Sequence, residues 1–379
     1  MSTQNHPFLY GVTVAKASFT DREADFEKLR SNLLQGINTI IISPRRWGKS
    51  SLVEKTVMEI NRSEKNQKTV VIDLFSVNSK EEFLELFAKE IIKASSTKWE
   101  EWLKTATSLL KNIVPKISVG VDPQSDFSLS FDWQELSKHE DEILNLPETI
   151  AAAKKFKFVI CLDEFQNLAN FHDYESVEKK MRAVWQRQKR VTYCLFGSKR
   201  HMMDDIFNTS TKPFYRFGDL LYLQKIAREH WVSFITKGFK KSGKTISPEL
   251  AGLIADHMKN HSWYVQQLAH YTWNRTKTEC TASLIDHALD ELIAANTPLY
   301  QREIEWLSST QTNLLKAIAH GEKQLTSTAV MQRFRIGTPR NVAKNRDLLR
   351  RNDIVDESKD GFEFLDPAFE IWFRRNISG

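Results

Sequence analysis

Apolar and polar positions follow two periods along this chain, and the change from one to the other marks its elements. Thr39 to Ile42 is a β-branched apolar run with no polar break, the pattern of a strand buried on both faces. After a turn, Ser51 to Asn61 places apolar residues at helical spacing. Lys68 to Val77, the stretch from Phe156 to Glu164, Thr192 to Phe196 and a short run ending at Leu223 predict four further strands. Glu81 to Ala94 and Val177 to Lys189 read as helices between them. Strands alternating with helices predict an α/β fold with a parallel sheet.

Residues 95–150 read as an insertion, with a helix over Trp99 to Ile113 and a hairpin. The hairpin pairs Ile117 to Val121 with Phe127 to Phe131 around Asp122-Pro123-Gln124-Ser125. Ahead of the first strand, Phe26, Leu29, Leu33 and Leu34 give a helix an apolar stripe, and Thr20 or Asp21 can cap it. The pattern turns all-helical over residues 224–300, with helices at Ala227 to Thr236, Ser247 to Met258, Ser262 to Thr276 and Ala282 to Ala295. Ser247-Pro248 is a cap followed by a first-turn proline. Residues 301–379 predict a winged helix: Thr310 to Ala319, Thr328 to Phe334, a third helix from Thr338-Pro339 to Arg351, and a wing around Asp360-Gly361. The division expected is a core over 1–223, a helical lid over 224–300 and the winged helix over 301–379.

Composition narrows the class. The chain has 379 residues, and 41% of them are hydrophobic, enough for a large buried core. It holds no apolar run of eighteen residues, so no membrane span is expected, and Met1 to Tyr10 lacks a signal core. Three scattered cysteines, Cys161, Cys194 and Cys280, predict buried thiols in a reducing cytoplasm rather than a disulfide frame. A net charge of +6 permits anionic partners without demanding them. His257, His261 and His270 lack ligand spacing, and the sequence contains no Gly-x-Ser-x-Gly, His-Glu-x-x-His or Cys-x-x-Cys.

The chemistry concentrates at two strand ends. Ser43-Pro44-Arg45-Arg46-Trp47-Gly48-Lys49-Ser50-Ser51 joins a strand to a helix, the context of a phosphate-binding loop. There, backbone N–H groups and the helix N-terminus face phosphate. Lys49 reaches the β- and γ-phosphates, and Ser50 offers a hydroxyl to Mg²⁺. The pattern asks for glycine where Ser43 stands. Downstream, an apolar strand ends in Asp163-Glu164. Asp163 suits a Mg²⁺ ligand and Glu164 a general base. Ser198, after the next strand, is a candidate to stand beside the γ-phosphate, or a plain turn serine. Arg216, flanked by aromatics, can stabilise phosphate charge in cis or, in a homo-oligomer, in trans; a surface ion pair is the alternative. The third helix of the winged helix carries Arg340, Lys344 and Arg351, which suit DNA phosphates, although a solvated face or a protein contact fits the same charges.

With those residues placed, the chain resembles the archaeal-type ATPase family of AAA+/STAND-class P-loop NTPases. The carriers are Phe19-Thr20-Asp21-Arg22-Glu23, Pro44-Arg45-Arg46-Trp47-Gly48-Lys49-Ser50-Ser51-Leu52, Leu162-Asp163-Glu164-Phe165-Gln166, Gly197-Ser198, Pro213-Phe214-Tyr215-Arg216 and Tyr264-Val265-Gln266-Gln267. The resemblance implies an ASCE P-loop core with a helical lid and a C-terminal winged helix, ATP and Mg²⁺ as cofactors, and Arg22 near the adenine. The family pattern has glycine at the positions of Asp21 and Ser43, and often proline at that of Ser262. The function expected is slow ATP hydrolysis working as a switch that the winged helix reports to a protein or DNA partner. Two alternatives stand beside it: a DNA-binding winged-helix protein with a degenerate ATPase core, and an ATP-dependent oligomeric assembly factor.

Overall fold

The computed structural model describes residues 6–11, 22–96, 98–109, 116–118, 128–130, 138–358 and 361–378. The turn of the predicted 117–131 hairpin and the Thr20 and Asp21 caps lie outside them.

The chain forms two compact units. The first comprises Arg22–Arg45 and Lys49–Gln224. It opens with the helix Glu23–Gln35. Strand β1 (Thr39–Ile42) is buried at every position, as its unbroken apolar run requires. The helix Lys49–Ser63 follows the loop and turns Leu52, Val53, Thr56 and Ile60 inward. Strand β2 (Gln67–Asp73) leads to the helix Lys80–Ala94, whose N-cap Ser79 accepts from Glu82 N at 3.2 Å. After the helix Trp99–Leu109, β3 (Lys116–Ser118) pairs antiparallel with β4 (Ser128–Ser130).

The helix Glu140–Lys154 was not expected: its sequence region read as insertion, and Pro147 stands inside it. Ile143, Leu144, Leu146 and Ile150 bury in the core of this unit, so the segment is a structural crossover into β5 (Lys157–Asp163). A 3₁₀ turn, Phe165–Asn170, and the helix Tyr174–Trp185 lead to β6 (Val191–Gly197). A further helix without a sequence expectation, Arg200–Asn208, precedes β7 (Asp219–Tyr222). The five-stranded sheet runs β2-β5-β6-β1-β7, and every pairing is parallel. Thus β6 lies between β1 and β5, the two strands that carry the sequence motifs. Trp185 stacks on Tyr193 of β6 with ring centroids 4.1 Å apart, at the centre of an aromatic cluster with Phe214 and Phe217.

The second unit holds the rest of the described chain: His6–Gly11, the loop residues Arg46–Gly48 and the residues from Lys225 onward. Residues 6–11 therefore pack here, where the sequence reading had grouped them with the core. Phe8 is fully buried against Gly238, where an added Cβ would lie 2.6 Å from the Phe8 ring. The helices Arg228–Lys241, Pro248–His257, Ser262–Arg275 and Ala282–Glu305 form the helical array. The last of them runs through residue 300, so the expected boundary falls inside a helix. Ser308 caps Ser309–Ala319 in a capping box, and Thr338 Oγ1 accepts from Asn341 N at the start of Pro339–Arg351. With Thr328–Phe334 and the antiparallel pair β8 (Val355–Ser358) and β9 (Gly361–Phe364), this is a winged helix. A closing helix, Pro367–Asn376, was not read from the sequence; its Phe369, Trp372 and Phe373 are buried. Among the described residues no helix is long and apolar enough to cross a membrane.

Candidate functional site

The loop after β1 takes its shape at Arg46 and Gly48, whose φ angles are 64° and 91°. Gly48 accepts that left-handed angle freely, while Arg46 adopts it against the usual preference of a side chain. Ser43 has no left-handed φ, so it fills the glycine position without backbone strain. It is buried, as is Pro44, and its Oγ donates to the Pro44 carbonyl at 3.2 Å. Lys49 and Ser50 form the first turn of Lys49–Ser63, with Ser51 next. The first N–H groups of a helix have no partner within it, and the helix dipole adds positive potential there.

Parallel β1 and β5 bring the two motifs to one edge of the sheet. Ser50 Oγ donates to Asp163 Oδ2 at 3.1 Å, and Glu164 N donates to Asp163 Oδ1 at 2.8 Å. Lys49 is buried and acts electrostatically on both carboxylates. Burial pushes Asp163 up to about 6, with Glu164 adding to the rise and Lys49 opposing it. Burial also pushes Glu164 up, but hydrogen bonds from Gln166 and Ser198 and the charge of Lys49 together outweigh it and hold Glu164 below the usual carboxylate range. Glu164 itself sits at φ 52°.

Ser198 follows β6, the strand between β1 and β5, and meets the acid pair for that reason. Its Oγ and its N–H donate to Glu164 Oε2 at 2.8 and 3.1 Å. Arg45 Nε donates to Ser198 Oγ at 3.3 Å, which ties the loop to the same serine. The sequence reading gave Gln166 no role, yet its Nε2 donates to Glu164 Oε2 at 2.5 Å. Its amide lies over Gly197, where an added Cβ would come within 1.7 Å of Gln166 Oε1. The Gly197-Ser198 dipeptide was the available signal: a glycine at the end of a fully buried strand implies a close approach.

Other expected residues make contacts of their own. Arg22 is buried, donating to Asp25 Oδ2 at 3.0 Å and to the Gln224 carbonyl at 3.1 Å. Arg216 is exposed and stacks on Tyr215, 5.2 Å from the ring centroid. It precedes β7, whose first residue pairs with the first residue of β1, so it lies at the amino edge of the sheet. The loop is at the carboxyl edge, and this corrects the in-cis phosphate contact expected for Arg216. Within the second unit, Arg46 covers the Trp263 ring at 4.6 Å and donates to Tyr264 OH at 3.3 Å. Tyr264 OH donates in turn to Asp366, the N-cap of Pro367–Asn376. Trp47 meets His261 edge-on. Arg340, Lys344 and Arg351 are exposed at positions that share one side of their helix.

Residues 298–375 match a family model described as "probable winged helix domain". No curated protein matches the sequence. Two solved archaeal structures resemble the whole chain. A Walker-type ATPase of Pyrococcus abyssi superposes with a TM-score of 0.68 at 15% identity, covering 97% of this chain and 99% of that one. The ORC2 protein of Aeropyrum pernix, solved as ADPNP–ADP complexes, superposes at 0.58 with 14% identity, covering 99% of each chain. At such identities the likeness is one of fold. The chain has the P-loop fold of Walker-type ATPases, with a winged-helix domain at its C-terminal end.

Proposed function

We propose that the chain binds ATP with Mg²⁺ at the Ser43–Ser51 loop, hydrolyses it slowly, and uses the bound state as a switch read through the winged helix. One observation carries the reading: buried Lys49 acts electrostatically on both carboxylates while Ser50 Oγ hydrogen-bonds Asp163. A cation buried with two acids at a helix N-terminus suits a ligand that brings phosphate negative charge and a metal together. Lys49 would meet the phosphates, Ser50 and Asp163 would hold the metal, and Glu164 would accept a proton from the attacking water. The donor set fits magnesium, since a burial-strained carboxyl gains from a cation and hydroxyl, carboxylate and phosphate oxygens are hard ligands. When bound, the metal neutralises charge developing on the phosphates.

The route from Arg46 through Tyr264 to Asp366 supports a winged helix that senses the loop. Arg340, Lys344 and Arg351 are the residues we assign to the partner, DNA or protein. Arg216 keeps one proposed role, in trans in a homo-oligomer. The same reading places the protein in the cytoplasm, where buried Cys161, Cys194 and Cys280 stay reduced.

The test is nucleotide affinity and turnover in the full chain. Lys49→Ala is expected to weaken ATP binding about a hundredfold, as loss of a charge-assisted phosphate contact does. Glu164→Gln is expected to bind ATP normally while turnover falls about 10²–10⁴-fold. Full nucleotide affinity in Lys49→Ala would sink the assignment.

A further inference from the structure

We propose that the amino edge of the five-stranded sheet holds a second ligand site, one that takes a nucleoside monophosphate. The site lies wholly within the first unit and does not rest on the ATPase reading.

A cavity of about 550 Å³ opens where β2, β5 and β6 begin, beside the ends of the helices Glu23–Gln35 and Lys49–Ser63. That volume falls among the roughly 300–1,000 Å³ of small-molecule sites. Strand β5 runs seven residues from this edge to Asp163, which puts the acid pair about 20 Å away. The phosphate loop is at the opposite, carboxyl edge, so the two sites are distinct.

The lining offers three kinds of contact. Lys155, Lys157 and Arg190 bring positive charge against one acid, Glu64, which Arg30 already meets at 3.6 Å. Arg190 shares Glu148 at 3.3 Å, so the two exposed lysines carry the excess. Lys155 closes the helix Glu140–Lys154 at φ 58°, a place where glycine is usual. A lysine there carries charge to the cavity at a steric cost, and such strain clusters at ligand sites. The second contact is apolar. Leu34 and Phe156 are half-buried, and Phe156 is set edge-on to Phe158 with ring centroids 4.9 Å apart. Bases stack on aromatic rings of this kind.

The third contact is an orphaned acceptor. Gln67 is 9% exposed, and its Oε1 is buried with no hydrogen-bond partner among the described residues. A buried acceptor left unpaired is costly, and a ligand N–H relieves it. Inorganic phosphate has no flat face for Phe156, and an apolar molecule has no charge for the lysines. A nucleoside monophosphate supplies a base N–H, a flat ring and a phosphate together.

The experiment is calorimetric titration of the full chain with AMP and GMP, and with adenosine and inorganic phosphate as partial ligands. At least one nucleotide is expected to bind, with adenosine and phosphate tenfold or more weaker, about the effect of losing one charge-assisted contact. Changing Lys155→Ala and Lys157→Ala together should weaken the nucleotide about tenfold or more, and Lys49→Ala should leave it within about twofold. Gln67→Leu should also cost about tenfold; should that buried variant fail to fold, the exposed lysine pair carries the test. A folded chain that binds neither nucleotide overturns the proposal. So does phosphate binding as tight as the nucleotide, which marks a plain anion patch. Binding that survives loss of both lysines but falls in Lys49→Ala belongs to the phosphate loop and overturns it as well.

Discussion

His261 shows how one buried side chain sets a property that its sequence neighbours do not announce. Burial, with the charges of Lys225 and Arg46 acting in the same direction, lowers its pKa from 6.5 to about 3. Its ring meets Trp47 and Tyr264 edge-on. The folded ring stays neutral while the unfolded ring takes up a proton below pH 6.5, so protonation favours unfolding. Stability should therefore be fully present above about pH 6.5 and fall as pH drops toward 3, with a slope from this group approaching about 1.4 kcal/mol per pH unit. Urea midpoints of the parent and His261→Phe between pH 7 and pH 4 measure it. Parallel pH trends in the two proteins would refute the assignment. The residue scale also settles Ser43. The pattern wanted glycine there for conformational freedom, but the left-handed angles fall at Arg46 and Gly48, so serine takes the place without strain.

Strands β1 and β5 were readable because each centres on an unbroken apolar run, and β1, β5 and β6 are buried almost throughout. The helix Glu140–Lys154 was not readable for the opposite reason. Pro147 interrupts a run that also carries several acids, and the inward face of Ile143, Leu144 and Ile150 has meaning only against the helix Lys80–Ala94 and the sheet. The junction of β7 with β1 depends on Gly218, where an added Cβ would lie 2.2 Å from the Asn38 carbonyl oxygen. That atom is backbone, and Asp219 N also donates to it at 2.8 Å, so it cannot step aside. Gly218→Ala should cost about 1–3 kcal/mol by overpacking. Gly252→Ala, which meets only the movable end of Arg228, should cost less. Chemical denaturation of both variants checks the ranking, and equal losses would show that the β7 edge yields.

At the scale of the whole molecule, a ligand that binds only the folded chain adds stability by mass action. ATP at a hundredfold excess over its dissociation constant should contribute about 2.7 kcal/mol and raise the melting temperature of the unit that binds it. Lys49→Ala should lose that shift, and a shift that survives in the variant would place the nucleotide elsewhere. The sequence by itself determined the elements and the motif chemistry, because strand burial, helix caps and the residue types at Lys49, Ser50, Asp163 and Glu164 are local properties. It also gave the winged-helix order, since Thr338 and the wing strands signal within a few residues. Only the tertiary structure decided which strand lies beside which. The order β2-β5-β6-β1-β7 inserts β6 between the loop and the acids, sets Ser198 and Gln166 on Glu164, faces Cys161 with Cys194 across adjacent strands, and leaves Arg216 at the far edge. Pairing across a sheet joins residues far apart in sequence, and no period along the chain records which partner a strand will find.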